Sequence, residues 1–176
     1  MRKALEFLYR TSGQLAGFFL VAIAVLSLMQ IGGRLLGFAA HSFDEFAGYC
    51  MAASSFLGLA CCLRANEHIR MTLLLHRARG ATRRALEIGC LAAGALLVGF
   101  FAWYTCDMAW FSFTTHDVSQ GLVPVLLWIP QSGMALGVAI LLIALLDDLV
   151  LVLSRETPSY DLAGMAKAAA GPDFER

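Results

Sequence analysis

Four long stretches of the chain contain no Asp, Glu, Lys or Arg, and they dominate its pattern of apolar and polar positions. They are Thr11–Gly33, Phe46–Leu63, Ile88–Cys106 and Val118–Leu146. Each is close to or above the roughly 20 apolar residues that a helix needs to cross the hydrocarbon layer of a membrane. Because that layer holds no water to pair with backbone groups, each stretch is predicted to be a helix.

Four buried helices of a soluble bundle are the alternative, and they require a polar face on each helix at a spacing of about 3.6 residues. Leu15–Met29 and Met134–Leu146 have almost no polar positions, which favours the membrane. A cleaved signal peptide is disfavoured because its apolar core runs about 7–15 residues, and the first stretch is longer. The sequence therefore predicts an all-α integral membrane protein of four helices.

The predicted single membrane domain covers residues 1–153, with spans at about 13–35, 46–64, 86–109 and 124–150. Residues 154–176 form a polar tail, predicted to be flexible. Of the 13 basic residues, only Arg34 lies in a linker on one side, and the others lie in the segments assigned to the opposite side. The positive-inside rule places both termini in the cytoplasm.

Two polar segments are predicted to be helices that lie at the membrane surface. Met1–Ser12 carries charged and apolar positions on opposite helical faces, although a basic flank without fixed structure is an equal alternative. In Arg64–Arg84 the apolar run Ile69–Leu75 lies among arginines, a composition typical of a helix on anionic lipid.

Two prolines mark the start of the fourth helix. Pro124 is predicted at the first helical position, where its missing N–H costs no hydrogen bond. Pro130 lies six residues further on and would remove a bond to the Leu126 carbonyl. This spacing predicts a kink in the outer part of the helix.

The composition agrees with a membrane protein and disfavours one class of partner. Hydrophobic residues make up 59% of the chain and charged residues 15%, whereas soluble domains average about 45–50% and 25%. The formal net charge is zero. A nucleic-acid partner is disfavoured because no basic excess is present to neutralise phosphates.

The sequence contains no arrangement of residues typical of a catalytic or metal site. All four histidines fall in linkers, so none is placed as an axial haem ligand, and no Cys or His pair has zinc-ligand spacing. The five cysteines lie in predicted helices, where they act as small apolar residues. We predict no catalytic, cofactor-binding or metal site, no disulfide and no enzymatic activity.

Charged residues at the helix ends remain as candidate ion pairs or partner contacts. Arg34 closes the first helix on the side where Asp44 and Glu45 open the second, so these residues are candidates for a salt bridge. Extension of these side chains to the lipid headgroups is the favoured alternative. Asp107 is predicted to end the third helix on the same side.

Asp147 and Asp148 lie near the inner end of the fourth helix, with the apolar run Leu149–Leu153 after them. Negative charge is unfavourable at a helix C-terminus. We therefore expect at least one of them to pair with an arginine of Arg64–Arg84. A proton or ion relay is the bolder alternative.

Six short motifs stand in a fixed order along the helices. They are Gly33-Arg34, Phe43–Tyr49, Leu63–Met71, Arg83–Glu87, Gly121–Pro124 and Trp128–Pro130. Together they make the chain, over roughly Leu5 to Val152, resemble the DctQ-type small membrane subunit of tripartite ATP-independent periplasmic (TRAP) transporters. Arg64, His68 and Arg70 match the family's Arg-x-x-x-His-Ile-Arg stretch. Thr72 departs from the pattern, since the family often has an acidic residue there.

The resemblance implies a helper role in a bacterial inner membrane. In such systems a large permease subunit carries the substrate and sodium sites, and a periplasmic solute-binding protein delivers the solute. The small subunit packs beside the large one, among membrane lipids. The resemblance implies uptake of an organic acid driven by an ion gradient, typically sodium. No nucleic acid and no cofactor is expected.

Two rival functions remain at this point. A membrane anchor subunit of an oxidoreductase would bind haem or quinone, which an absorption spectrum detects. A small self-contained exporter would need a membrane-embedded carboxylate, for which Asp107 and Asp148 are the candidates.

Overall fold

The computed structural model describes residues 2–37, 42–64, 81–121 and 123–154. Its four helices are α1 (Arg2–Leu35), α2 (Phe43–Arg64), α3 (Ala81–Thr115) and α4 (Trp128–Leu153). Each is long and apolar enough to cross a membrane, judged by length and composition. In the part of the chain that the structure describes, the fold is thus the predicted all-helical membrane protein with four spans.

α1 extends further toward the N-terminus than the predicted first span. It is one continuous helix of 34 residues, so the segment predicted to form a separate surface helix at Met1–Ser12 continues directly into the span. At about 1.5 Å per residue α1 is about 50 Å long, well beyond a hydrocarbon layer of about 30 Å. The predicted surface helix within Arg64–Arg84 falls mainly on residues 65–80, which lie outside the described residues.

The helices pack in a row in the order α1, α2, α4, α3. α2 and α4 occupy the centre, while α1 packs on α2 and α3 packs on α4. α1 touches α4 at few positions. This arrangement leaves the apolar outer faces of α1 and α3 exposed, among them Phe18 and Phe100.

Small residues set the distance between the central helices. Gly133 and Gly137 lie one turn apart on α4 and face α2. A Cβ atom on Gly137 would stand 2.5 Å from the Phe56 carbonyl carbon, and one on Gly133 would stand 3.3 Å from the Ala53 Cβ. Paired glycines four residues apart allow membrane helices to approach backbone to backbone.

Serine hydroxyls join α1 to α2 inside the bundle. Ser12 Oγ donates a hydrogen bond of 2.6 Å to the Leu57 carbonyl, and Ser54 Oγ donates one of 2.9 Å to the Ala16 carbonyl. Hydroxyls that bond to backbone across helices are typical of membrane bundles, because water is not available to replace their partners.

The described part of the connection between α3 and α4 is hairpin-like. His116, at a φ of 53°, ends α3, and the Asp117 amide donates back to the Ser112 carbonyl at 3.2 Å. This pattern is a Schellman-type helix end. Val118 then pairs with Leu126 in an antiparallel bridge.

Because the chain forms this hairpin, α4 begins at Trp128 and not at the predicted residue 124. Pro130 is therefore the third residue of the helix, in the first turn, where a backbone N–H has no carbonyl of its own helix to meet. Pro130 therefore removes no hydrogen bond from α4, and the predicted kink lacks its physical cause.

Candidate functional site

Arg64, the last residue of α2, joins three helices at one end of the bundle. Its Nη2 lies 3.3 Å from Asp147 Oδ2 on α4, and both side chains are 24% exposed. Its guanidinium carbon lies 4.3 Å from the ring centroid of Tyr9 on α1. A cation above an aromatic face is attracted by the ring quadrupole. We call Tyr9, Arg64 and Asp147 the Arg64 cluster.

The Arg64 cluster adjoins a buried carboxylate and a buried phenol. Asp148 is 1% exposed and shares the buried face of α4 with Val152, one turn further on. Tyr9 is 3% exposed, and its hydroxyl has no hydrogen-bond partner in the part of the chain that the structure describes. Both groups therefore lie in the core beside the partly exposed Arg64–Asp147 pair.

Arg84 of α3 caps the end of α4 near the same side of the bundle. Its Nη2 donates hydrogen bonds to the carbonyls of Val152 at 3.3 Å and Leu153 at 3.0 Å. The last carbonyls of a helix have no partners in their own helix and carry partial negative charge, so a guanidinium stabilises them. Two arginines from different helices thus hold the C-terminal part of α4.

A second polar group, at the opposite end of α2, is built around Ser119. Its Oγ donates a hydrogen bond of 2.8 Å to Glu45 Oε1. It accepts bonds from the Tyr49 hydroxyl at 2.9 Å and from the Gly121 amide at 3.2 Å. One hydroxyl thus uses its donor and both of its acceptor sites. We call Glu45, Tyr49, Ser119 and Gly121 the Ser119 cluster.

Gly121 provides the space that the Ser119 cluster needs. A Cβ atom on this residue would overlap the carboxylate of Glu45. The absence of a side chain allows the α3–α4 hairpin to lie directly against the first turn of α2.

The charged residues predicted at the helix ends differ in the contacts that they make in the structure. It brings Arg64 and Asp147 into contact. In the described ranges it forms no salt bridge between Arg34 and either Asp44 or Glu45, because Glu45 points to Ser119 instead. Asp44 is exposed. His68 and Arg70 lie outside the described residues.

Asp107 has a different setting from the expected one. It does not end α3, which continues for eight residues to Thr115. Its side chain is exposed, and it forms no hydrogen bond or ion pair with any described residue. Residues near it on the same helix face are apolar and exposed, including Trp103 and Trp110.

Two apolar grooves lie on either side of Leu136, an exposed residue of α4. One, of about 410 Å³, is formed by α1, α2 and α4 and includes Phe19 and Tyr49. The other, of about 400 Å³, lies between α3 and α4 and includes Trp110 and Trp128. Both volumes fall in the range of small-molecule pockets, but polar groups that would orient a solute are sparse on their walls.

Metal chemistry has no visible basis in the described ranges. No group of three or more His, Cys, Asp or Glu residues is arranged there to hold an ion. All five cysteines are described, and each is a free thiol.

Sequence reasoning missed Tyr9 and Ser119 as polar partners. Tyr9 lies on the predicted apolar face of Met1–Ser12, so the sequence pattern assigned it to packing and not to a polar contact. Ser119 lies at the end of the longest stretch without charges, beside Gln120 and Gly121. A serine followed two residues later by glycine is typical of a turn. This was the only sign in the sequence that Ser119 lies in a turn.

Comparison with known proteins identifies a family. The family described as "Tripartite ATP-independent periplasmic transporters, DctQ component" matches residues 15–155. No curated protein and no solved structure shows significant similarity to the chain. The matched range covers part of α1, all of α2, α3 and α4, and every member of both clusters except Tyr9.

Proposed function

The chain belongs to the DctQ family, the small membrane subunit of TRAP transporters, and on that premise we propose that it supports a large permease subunit during uptake of an organic acid. Uptake is driven by an ion gradient, with sodium as the expected ion. A periplasmic binding protein delivers the solute, and the complex resides in the bacterial inner membrane.

The row of helices is the observation that carries this proposal. A transporter that works alone surrounds its solute with helices and lines the path with polar groups. Here α2 and α4 meet through glycines, and the grooves beside them are apolar. Such a molecule is suited to widen and brace another membrane protein.

The two polar clusters support the bracing role. Each fastens α2 to a neighbouring element, one at Arg64 and the other through Glu45. Fixed helix ends make the row stiff, which is what a support for a moving transport domain requires.

The test is purification of the tagged chain after co-expression with the large subunit of its transporter, followed by uptake measurements in liposomes. We expect both subunits to co-purify in a fixed ratio. Uptake should require both subunits, the binding protein and an inward sodium gradient. Uptake by the small chain alone would overturn the proposal in favour of an exporter, and stoichiometric haem absorbance would favour an oxidoreductase anchor.

A further inference from the structure

The exposed face of α3 carries a row of large apolar residues that one acidic residue interrupts. Leu96, Phe100, Trp103 and Trp110 are all exposed, and Asp107 lies among them. These positions alternate in steps of four and three residues, so they share one face of the helix. We call these five residues the Asp107 stripe.

The packing register places Asp107 level with the middle of the bundle, on its exposed face. Gly99 of α3 lies opposite Leu142 of α4, and the two helices run antiparallel, so Asp107 is level with Met134. The preceding residue of α4, Gly133, packs on Ala53 of α2. Ala53 stands near the middle of the charge-free stretch 46–63. Asp107 is therefore close to the mid-depth of α2.

A carboxylate at this depth is costly when it faces hydrocarbon. Eight residues, or about 12 Å, separate it from the end of α3. An aspartate side chain is too short to reach the headgroups over that distance. No described residue pairs with Asp107, so its carboxylate is open to a partner from another molecule.

The symmetry of a homodimer disfavours a second copy of the chain as that partner. Two copies inserted in the same direction relate by an axis along the membrane normal. Pairing through the Asp107 stripe would place both carboxylates at the same depth, where like charges repel. The complementary surface therefore belongs to a chain of different sequence that offers a positive charge.

We propose that the Asp107 stripe is the docking surface for a transmembrane helix of the large permease subunit, and that Asp107 pairs with an arginine or lysine of that helix. The inference rests on the proposed function for the identity of the partner. The apolar members of the stripe pack against the incoming helix, while the ion pair fixes its depth and rotation. Trp110 also borders the groove between α3 and α4, so the surface continues onto α4.

Photo-cross-linking locates the docking surface directly. Phe100 on α3 and Phe18 on α1 are both 67% exposed, and they form a matched pair of positions. Each is replaced by a photoreactive phenylalanine analogue in the full chain, which is co-expressed with the large subunit and irradiated in membranes. We expect a product with the large subunit from position 100 and none from position 18. A product from position 18 alone, or a product between two small chains from position 100, would overturn the inference.

Charge removal tests the ion pair. We expect Asp107→Asn to weaken the complex at least about tenfold, because the partner cation stays buried without its counter-charge. Glu6→Gln removes an exposed carboxylate from α1 and is the control. Equal recovery of large subunit with Asp107→Asn and wild type would reject the pair, and rescue of Asp107→Arg by an acidic replacement in the large subunit would identify the partner residue.

The two proposals fail in different ways. If wild-type chain does not co-purify with the large subunit, the proposed function fails whatever Asp107 does. If wild type and both variants co-purify equally and the cross-link forms elsewhere, the function stands and the docking surface is wrong. Normal yield and thermal unfolding of the Asp107→Asn chain exclude misfolding as the cause of a loss.

Discussion

The Arg64 cluster and the Ser119 cluster lie at opposite ends of α2. Each fastens its end of the helix to neighbouring elements, but with different chemistry. Glu45 and Arg64 are 19 positions apart, which is about 28 Å along the helix and close to the thickness of the hydrocarbon layer. One end is held by an ion pair and a cation–π contact. The other is held by a serine that shares three hydrogen bonds.

The difference follows from what each end has to connect. At Arg64, side chains from three separate helices meet, so long side chains and full charges are needed to bridge them. At Ser119 the α3–α4 hairpin already touches α2, so a short hydroxyl is enough. Charges act over distance, whereas hydrogen bonds require atoms within about 3 Å. The Arg64 cluster should therefore tolerate small shifts that the Ser119 cluster does not.

The contact between α2 and α4 keeps both clusters in register, and breaking it should have the largest effect. Gly137→Val adds atoms against the backbone of Phe56 and Leu57, which cannot move aside without separating the helices. We expect a loss of about 3 kcal/mol in the free energy of unfolding in detergent. Gly17→Ala, at a helical glycine with open space around it, is the control and should not destabilise. A neutral Gly137→Val would show that the close approach is unimportant.

Removing the guanidinium should have the next largest effect. Arg64→Leu leaves Asp147 without its cation and Tyr9 without the charge over its ring. Breaking a fully buried pair costs about 3–5 kcal/mol, and partial exposure reduces the expected loss to about 2 kcal/mol. Arg34→Leu removes an exposed arginine at the opposite end and should change the unfolding free energy little.

The exchange Arg64→Asp with Asp147→Arg separates pairing from simple loss of charge. If the ion pair matters, the double variant should recover part of the stability that either single change removes. If it recovers none, the contribution of Arg64 comes from Tyr9 or from packing of its methylene groups.

Removal of the Ser119 hydroxyl should cost less. Ser119→Ala deletes the shared partner of Glu45, Tyr49 and the Gly121 amide, and we expect a loss of about 1–2 kcal/mol. Because the cluster ties the hairpin to α2, amide hydrogen exchange of residues 117–127 should also speed up. Ser132→Ala is the matched control, since its hydroxyl bonds only within its own helix. Unchanged exchange in the hairpin would mean that the backbone bridge alone holds it.

The two clusters also differ in how far sequence reasoning could find them. An aspartate pair near the end of an apolar helix needs a cation, so pairing with an arginine of Arg64–Arg84 could be predicted. It could not select among the arginines, because the fold decides which one faces α4. Arg34 was the candidate partner of Glu45, since both were placed at the same side of the membrane. The hairpin, which no hydrophobic pattern reveals, supplied Ser119 instead.

The order of the helices was not predictable for a related reason. The number of spans was predicted from the length of the charge-free stretches, and the described residues form four helices that are long and apolar enough to cross a membrane. Which helix contacts which depends on shape, such as the approach of Gly133 and Gly137 to α2. In an apolar helix almost every face has a similar hydropathy, so hydropathy does not indicate which face contacts another helix.

The smallest expected effect concerns the Tyr9 hydroxyl and separates the two parts of that side chain. The hydroxyl is buried without a partner among the described residues, so Tyr9→Phe removes an unsatisfied polar group and keeps the ring under Arg64. We expect the unfolding free energy to stay within about 0.5 kcal/mol of wild type, or to rise slightly. Tyr9→Leu removes the ring as well and should cost about 1 kcal/mol more, since the cation–π contact is lost. A large loss from Tyr9→Phe in the isolated chain, comparable with that from Arg64→Leu, would contradict this expectation, because a hydroxyl without a partner has no hydrogen bond to lose.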